Sequence, residues 1–488
     1  MTASPPSTPR ATASAPDPRR WKALALLCTA FFMVILDSSI VVVALPSIDA
    51  DLAFSSGDLQ WVLSAYLLSF GGLLLLGGRA ADLLGRRRVF IVGSGLFALA
   101  SLACGLAGSV DALIAARVAQ GAAAAIMTPT ALSILMTTFQ EGAERNKALG
   151  IWAAIGGVGA TAAWLVGGPI TEGLGWEWIF FINIPVAVGV VVLSPALLRE
   201  SRDAEPGRRF DIAGALTITA ALVALVYAVV EAPTTGWGDG QTLGLLGAAA
   251  ALIALFAWIE SRSASPLAPL RVFRSRALVG GNLVLFALGM LAFGMPFTLT
   301  QYAQEVLHYS PLEFGLASVV MPITAALGSI GGQALATKSG LRPIAVAGMA
   351  LTGLGCLSLS QVRVDGSYLG DIFFGLLLFG PGLGATYVAA SIASLAGVGE
   401  ADAGVASGLN NSSFQIGGAV GVAILSTVTV SQASGADPLG ALTNGFQSAF
   451  ATAIIFAAVL LGRLRLPAPA RPAEPAAAQV DQRTAAAR

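Results

Sequence analysis

The sequence predicts an all-α membrane protein of fourteen transmembrane helices, built as two six-helix bundles (helices 1–6 and 9–14) with helices 7 and 8 inserted between them. Three observations carry this expectation: the composition, the placement of basic residues along the chain, and sequence features that repeat eight helices apart. Only 11% of the 488 residues are charged and 56% are hydrophobic, whereas a soluble domain carries about 25% charged residues. That deficit excludes an ordinary soluble enzyme. Apolar runs of about twenty residues, enough to cross a hydrocarbon layer of roughly 30 Å, recur from end to end. The formal net charge is zero, and nothing in it favours a nucleic-acid partner.

Taken in order, the first apolar run covers 22–46. The Pro/Ser/Ala-rich stretch before it, 1–21, reads as a disordered tail. It is no cleaved signal, because the apolar run is too long and no small-residue cleavage site follows a short apolar core. Runs at 59–79, 88–108, 111–137, 146–170 and 178–198 complete a first bundle over 22–198. Two more at 211–231 and 241–260 form the inserted pair, 211–260. Runs at 277–299, 312–334, 342–361, 368–394, 402–429 and 441–464 form the second bundle over 277–464, and an Ala/Pro-rich tail occupies 465–488. No break between runs exceeds about twenty residues, the length of a single membrane span, so no soluble catalytic domain is accommodated.

Lys and Arg set the orientation, since they accumulate on the cytoplasmic side. With fourteen spans both termini share one side, and 25 of the 27 basic residues fall in tails or loops there. The clusters include Arg19/Arg20/Lys22, Arg86/Arg87/Arg88, Arg145/Lys147, Arg199/Arg202/Arg208/Arg209 and Lys338/Arg342. Arg363 alone falls in an outer loop, and Arg117 alone lies inside a span. A wrong helix count would scramble that alternation, so both termini are expected in the cytoplasm.

Two charges inside the first bundle stand out. Asp37 interrupts "FFMVILDSSIVVVALP", nine residues before Pro46, hence about 13 Å below the outer end expected for helix one. Arg117 enters from the outer side in helix four, about 9 Å deep by the same rise. A charge at bilayer depth is expensive and marks function or a partner, and these two sit at similar depth. Burial favours a neutral acid, and a neighbouring guanidinium favours the carboxylate. An acid held between those pulls can take up and release a proton; the alternative is a static buried pair. Cys28, Cys104 and Cys356 lie in apolar runs without CxxC spacing and read as small core residues. The single His308 cannot assemble a metal cluster, and no GxxxxGK[ST] phosphate loop exists. No cofactor is expected.

The repeats connect the halves. "GGRAADLLGRRRVF" from Gly77 is echoed by "GGQALATKSGLRP" from Gly331. The helix-five glycines (Gly156, Gly157, Gly159, Gly167, Gly168) are echoed in helix thirteen by Gly404, Gly408, Gly417, Gly418 and Gly421. Helix four, "RVAQGAAAAIMTPTAL", pairs with helix twelve, "LLLFGPGLGATYVAA". The arrangement resembles the major facilitator superfamily and, within it, the fourteen-helix drug:proton antiporters. "GGRAADLLGRRR" is similar to the superfamily loop between helices two and three, with Gly78, Asp82, Gly85 and Arg86 in place. "RVAQG" (Arg117, Gln120, Gly121), "LDSSIVVVALP", "GWEWIFFINIP" and "GLNNSSFQIGGAVG" resemble further motifs of that branch.

The resemblance implies an exporter of amphipathic drugs or antibiotics in the cell membrane of a bacterium, driven by the proton gradient, without nucleic acid and working as a monomer. It implies proton coupling at Asp37 and Arg117, and a conformational latch at Gly78, Asp82, Gly85 and Arg86. The helix-five antiporter motif would correspond to Gly159, Gly167, Gly168 and Pro169, although its Gly-Pro is replaced here by Ala163-Trp164, which moves or removes the kink. Ser39 and Val42 replace the Thr and Asn of the family's first-helix motif, so one polar group beside Asp37 is expected to be missing. Cavity-lining candidates are Ser39, Trp61, Tyr66, Gln120, Asn282, Gln301, Gln304, Tyr387, Asn410, Asn411 and Gln415. Two alternatives stay open from the residues: an exporter dedicated to one native metabolite, and an uncoupled receptor or channel-like protein.

Overall fold

A computed structural model describes residues 18–54, 58–140, 142–201, 211–263, 266, 271–396, 398, 403–433 and 437–463. The expected tails, apart from residues 18–21, and the basic residues Arg202, Arg208 and Arg209 lie outside that set. Among the described residues, fourteen helices are long and apolar enough to span a membrane. They are α1 (Arg20–Leu52), α2 (Trp61–Leu84), α3 (Arg86–Gly105), α4 (Val110–Thr138), α5 (Ala143–Leu174), α6 (Trp178–Leu197) and α7 (Ile212–Val229). The series continues with α8 (Gly240–Arg262), α9 (Arg276–Val306), α10 (Pro311–Ala336), α11 (Leu341–Leu359), α12 (Tyr368–Leu395), α13 (Val405–Gln432) and α14 (Pro438–Ala458).

Two ends correct the sequence expectation. Helix α1 does not stop at Pro46 but runs six residues further, with Pro46 inside it. An interior proline loses its own N–H bond and crowds the carbonyl one turn back, but Leu45 and Ile48 are fully buried beside it, so packing holds the helix through. Asp49 then closes its end, accepting the Phe54 N–H at 3.1 Å. Helix α9 likewise passes its expected end at 299 and finishes in a π turn, Tyr302–Val306. Where sequence signals are strong the ends agree closely. Ser109 caps α4 by accepting the Ala112 N–H at 3.3 Å, and Ser310 with Glu313 forms a capping box ahead of Pro311 at the start of α10.

Among the first six helices α2 packs on α4, α3 on α4, α1 on α5, and α6 on both α1 and α3. Among the last six the main pairs are α9 with α13, α10 with α12 and α11 with α12. Helices α7 and α8 pack on each other, and α7 also leans on α2 and α13. Among the described residues the two sets of six meet mainly in three places. Helix α2 runs along α13, where the Ser64 hydroxyl donates to Ala419 O at 3.4 Å. Helix α9 touches α1, the Gln304 amide donating to Val43 O at 2.9 Å. At the end opposite the basic loops α5 meets α10. There Trp164 lies edge-on to Phe314, with centroids 5.6 Å apart.

That last contact explains two glycines. A Cβ on Gly168 would lie 2.6 Å from both Leu312 Cα and Pro311 O, and one on Gly315 would lie 2.5 Å from Trp164 O. These are backbone atoms, which cannot swing aside. Helix α5 is continuous from Ala143 to Leu174 with Pro169 inside it, so Ala163-Trp164 does not interrupt it. Trp164 instead supplies the ring that meets Phe314.

Candidate functional site: a caged ion pair

Asp37 projects from the middle of α1 into the space between α4 and α6 and has no exposed surface; nor has Arg117. The two form an ion pair, Arg117 Nη1 to Asp37 Oδ2, at 3.0 Å. Asp37 and Arg117 meet as their depths suggested, although α1 ends at Leu52 and not at Pro46. Measured from Leu52, Asp37 is about 22 Å below the end of α1.

The pair is held by more donors than sequence reading anticipated. Gln120 Nε2, one turn beyond Arg117 on α4, donates to Asp37 Oδ1 at 2.8 Å and to Ser101 Oγ on α3 at 2.8 Å. Asn183 Nδ2, from α6, donates to the same Asp37 oxygen at 2.8 Å. Arg117 Nη1 donates to Gln120 Oε1 at 2.6 Å, and its Nε to Val62 O on α2 at 2.9 Å. The guanidinium lies over the Tyr66 ring, 4.3 Å from its centroid, a cation–π contact that strengthens when water is excluded. Three donors from two helices thus converge on one carboxylate, and five helices contribute to the cluster. A charge that deep is tolerable only when paired and hydrogen-bonded, and this one is.

The expected polar deficit beside Asp37 does not arise. Val42 packs into the apolar core, while Asn183 supplies an amide from another helix. Asn183 lies in the segment "GWEWIFFINIP" and is a site residue that the motif alone does not single out. A depth estimate would have found it: five residues into α6 from Trp178 is about 8 Å, close to the depth of Arg117.

The remaining candidates scatter. Asp82 pairs with Arg86, Oδ1 to Nη2, at 2.8 Å. The loop is also stapled to the segment after α6, where Glu200 Oε1 accepts the Arg87 N–H at 3.1 Å and Ser201 O accepts the Arg86 N–H at 2.9 Å. Gly85 makes that turn with φ of 105°, a conformation glycine adopts readily. Gly78 faces Pro129, Gly159 faces Ile35 and Gly167 faces Ile40. Gln120 and Tyr66 are fully buried around the ion pair, so they line no open surface here. Trp61 sits near Tyr227 of α7, centroids 6.0 Å apart. Asn410 donates to Ser394 Oγ at 2.7 Å, and Asn282 accepts from Ser413 Oγ at 2.8 Å, so both tie helices together. Gln415 is buried against Gly71 of α2. Gln304 bridges to α1. Ser39 and Gln301 are partly buried, Asn411 is exposed, and Tyr387, 37% exposed, packs on Phe414.

The fold and the site together define a polytopic helical membrane protein holding a charged pair inside it. The model of the Major Facilitator Superfamily matches residues 27–422 and 282–487, and the chain belongs to that family of transporters, not to an enzyme family. It is 40% identical over 462 residues to the cephamycin export protein CmcT of Amycolatopsis lactamdurans, covering 93% of this chain and 94% of that one. It is 38% identical over 460 residues to the puromycin resistance protein pur8 of Streptomyces alboniger, covering 92% and 91%. Among solved structures, a bacterial homolog of the human lysosomal transporter Spinster superposes with a TM-score of 0.65 at 16% identity, covering 92% of this chain and 96% of that one.

Proposed function

We propose that the chain is a proton-coupled antiporter that exports amphipathic drugs or antibiotics across the cytoplasmic membrane, with both termini in the cytoplasm. The bundles 22–198 and 277–464 rock about a cavity between them, with 211–260 to one side. The observation that carries the coupling is the Asp37 cage. Oδ1 accepts from the two amides and Oδ2 from the guanidinium, and only an ionised acid satisfies all three at once. A proton arriving from outside turns one carboxyl oxygen into a donor, breaks at least one of those bonds, and releases Arg117 from its counter-charge. Since the donors stand on α4 and α6 and the acid on α1, protonation changes how three helices of one bundle hold together, which is what a rocking transition requires. The export and resistance roles carried in the names of the relatives support a drug or antibiotic as the substrate class. A single native metabolite is a narrower version of the same reading.

The test is a drug-susceptibility panel in an efflux-deficient bacterial host. Wild type is expected to raise tolerance to several amphipathic antibiotics. Asp37→Asn, compared with wild type at matched membrane abundance because it leaves buried Arg117 without its counter-charge, is expected to confer none. Uphill extrusion by that variant would refute the coupling assignment, and protection confined to one compound would select the dedicated exporter.

A further inference from the structure

Two apolar grooves lie side by side on the flank of the first six helices, and the export mechanism uses neither. One runs between α1 and α5 past Trp21, Ala25, Cys28, Phe32, Ile151 and Ile155, with a volume of about 430 Å³. The other runs between α1 and α6 past Lys22, Ala25, Thr29, Pro185, Gly189 and Leu197, with a volume of about 480 Å³. They share Ala25 and Thr29, which form a low ridge between them. The Thr29 hydroxyl is turned back to Ala25 O at 2.9 Å, so the ridge presents carbon. No described residue beyond α6 lines either groove.

Length and charge choose the occupant. From Pro185 to Leu197 is about 18 Å of helix, and from Trp21 to Phe32 about 16 Å. Half of a hydrocarbon core of roughly 30 Å is about 15 Å, so each groove has the depth of one leaflet. Both open at the same basic end. Lys22 stands at the mouth of the α6 groove, and beside it Arg19 is anchored on Ala196 O at 2.9 Å. At the mouth of the α5 groove Lys147 lies 5.2 Å from the Trp21 ring centroid. Arg20 is neutralised by Glu144 at 2.6 Å, whereas no described acid pairs with Lys22 or Lys147. Two neighbouring acyl-length furrows of similar volume, each with a lysine at its basic end, match the shape and charge of one molecule.

We propose that the two grooves form a single site for an anionic phospholipid of the leaflet on the basic side, which straddles α1 with one acyl chain in each groove and its phosphate between Lys22 and Lys147. The proposal is independent of the proton-coupling reading.

The full chain, purified in detergent and stripped of lipid, is titrated with phosphatidylglycerol and with phosphatidylcholine of identical chains. Native mass spectrometry reads the lipid-bound fraction. Wild type is expected to retain one phosphatidylglycerol in preference to phosphatidylcholine. Lys22→Gln should weaken phosphatidylglycerol about fivefold, the worth of one basic side chain at an anionic surface, and leave phosphatidylcholine unchanged. Gly189→Leu should abolish the one-lipid adduct with either lipid. A Cβ there meets nothing within 4 Å, so the larger side chain fills the groove without disturbing the fold. Arg342→Gln, at the corresponding end of α11, should change neither. Equal retention of the two lipids by wild type, or a phosphatidylglycerol adduct that survives Gly189→Leu, would overturn the proposal. So would ethidium binding that Gly189→Leu removes while lipid binding persists, since the groove would then serve an exported amphipath.

Discussion

Replacing Gly168 with alanine tests whether backbone contact between α5 and α10 holds the end opposite the basic loops shut. The added Cβ would lie 2.6 Å from Pro311 O and from Leu312 Cα, about an ångström inside ordinary van der Waals contact, where dispersion optima lie near 3.5–4.0 Å. Neither atom belongs to a side chain that can rotate away, so the helices must part. Overpacking of this kind costs about 1–3 kcal/mol. Since 1.4 kcal/mol is a factor of ten, the open arrangement should gain roughly 5- to 150-fold in population. Phe314 is fully buried behind Trp164. In a background with Cys28, Cys104 and Cys356 removed, a Phe314→Cys probe should therefore react faster with a membrane-impermeant maleimide, in proportion to that gain. Gly315→Ala, which meets Trp164 O at 2.5 Å, should act alike. The double variant should add less than the sum of the two, because one parting relieves both overlaps. Unchanged labelling in Gly168→Ala would refute the closed-contact argument, and strict additivity would refute the shared parting.

The caged pair yields further expectations. Arg117→Met leaves the buried Asp37 carboxylate without its counter-charge, a loss of about 3–5 kcal/mol. It should cut the yield of folded protein on size-exclusion chromatography, and Asp37→Asn in the same chain should restore it; no restoration would mean that Arg117 matters for packing alone. Asn183→Leu removes one bond to a charged acceptor, worth about 1.5–3 kcal/mol. It should lower the thermal midpoint measurably less than Arg117→Met, with an equal drop arguing against the ranking of the donors. Asp82→Asn breaks the pair with Arg86 but touches nothing near Asp37. Equilibrium binding of an exported dye should survive while its transport slows, and a loss of binding alone would count against a role in switching.

The fourteen spans could be read from sequence because each is set by a local quantity, an apolar length matched to the hydrocarbon core, and the clustering of Arg and Lys left little freedom in the count. Asp37 and Arg117 were legible for a related reason. A charge in such a run stands out, and rise per residue converts position into depth. Gln120, expected to line the cavity, instead joins the pair one turn from Arg117. Other features belonged to the tertiary structure. Pro46 reads as a helix end, yet burial of Leu45 and Ile48 carries α1 past it. Val42 suggested a dry surrounding for Asp37, yet Asn183 arrives from a helix nearly 150 positions away. Trp164, which stands where a helix-kinking dipeptide was expected, is explained only by Phe314 on the far side of the interface. Gln304, Asn410 and Asn282 read as cavity polarity and turn out to bridge helices. Hydropathy and charge act residue by residue, so the chain alone determined what crosses the membrane and which groups could not cross it unpartnered. The identity of each partner depends on which helix faces meet, and only the folded packing decides that.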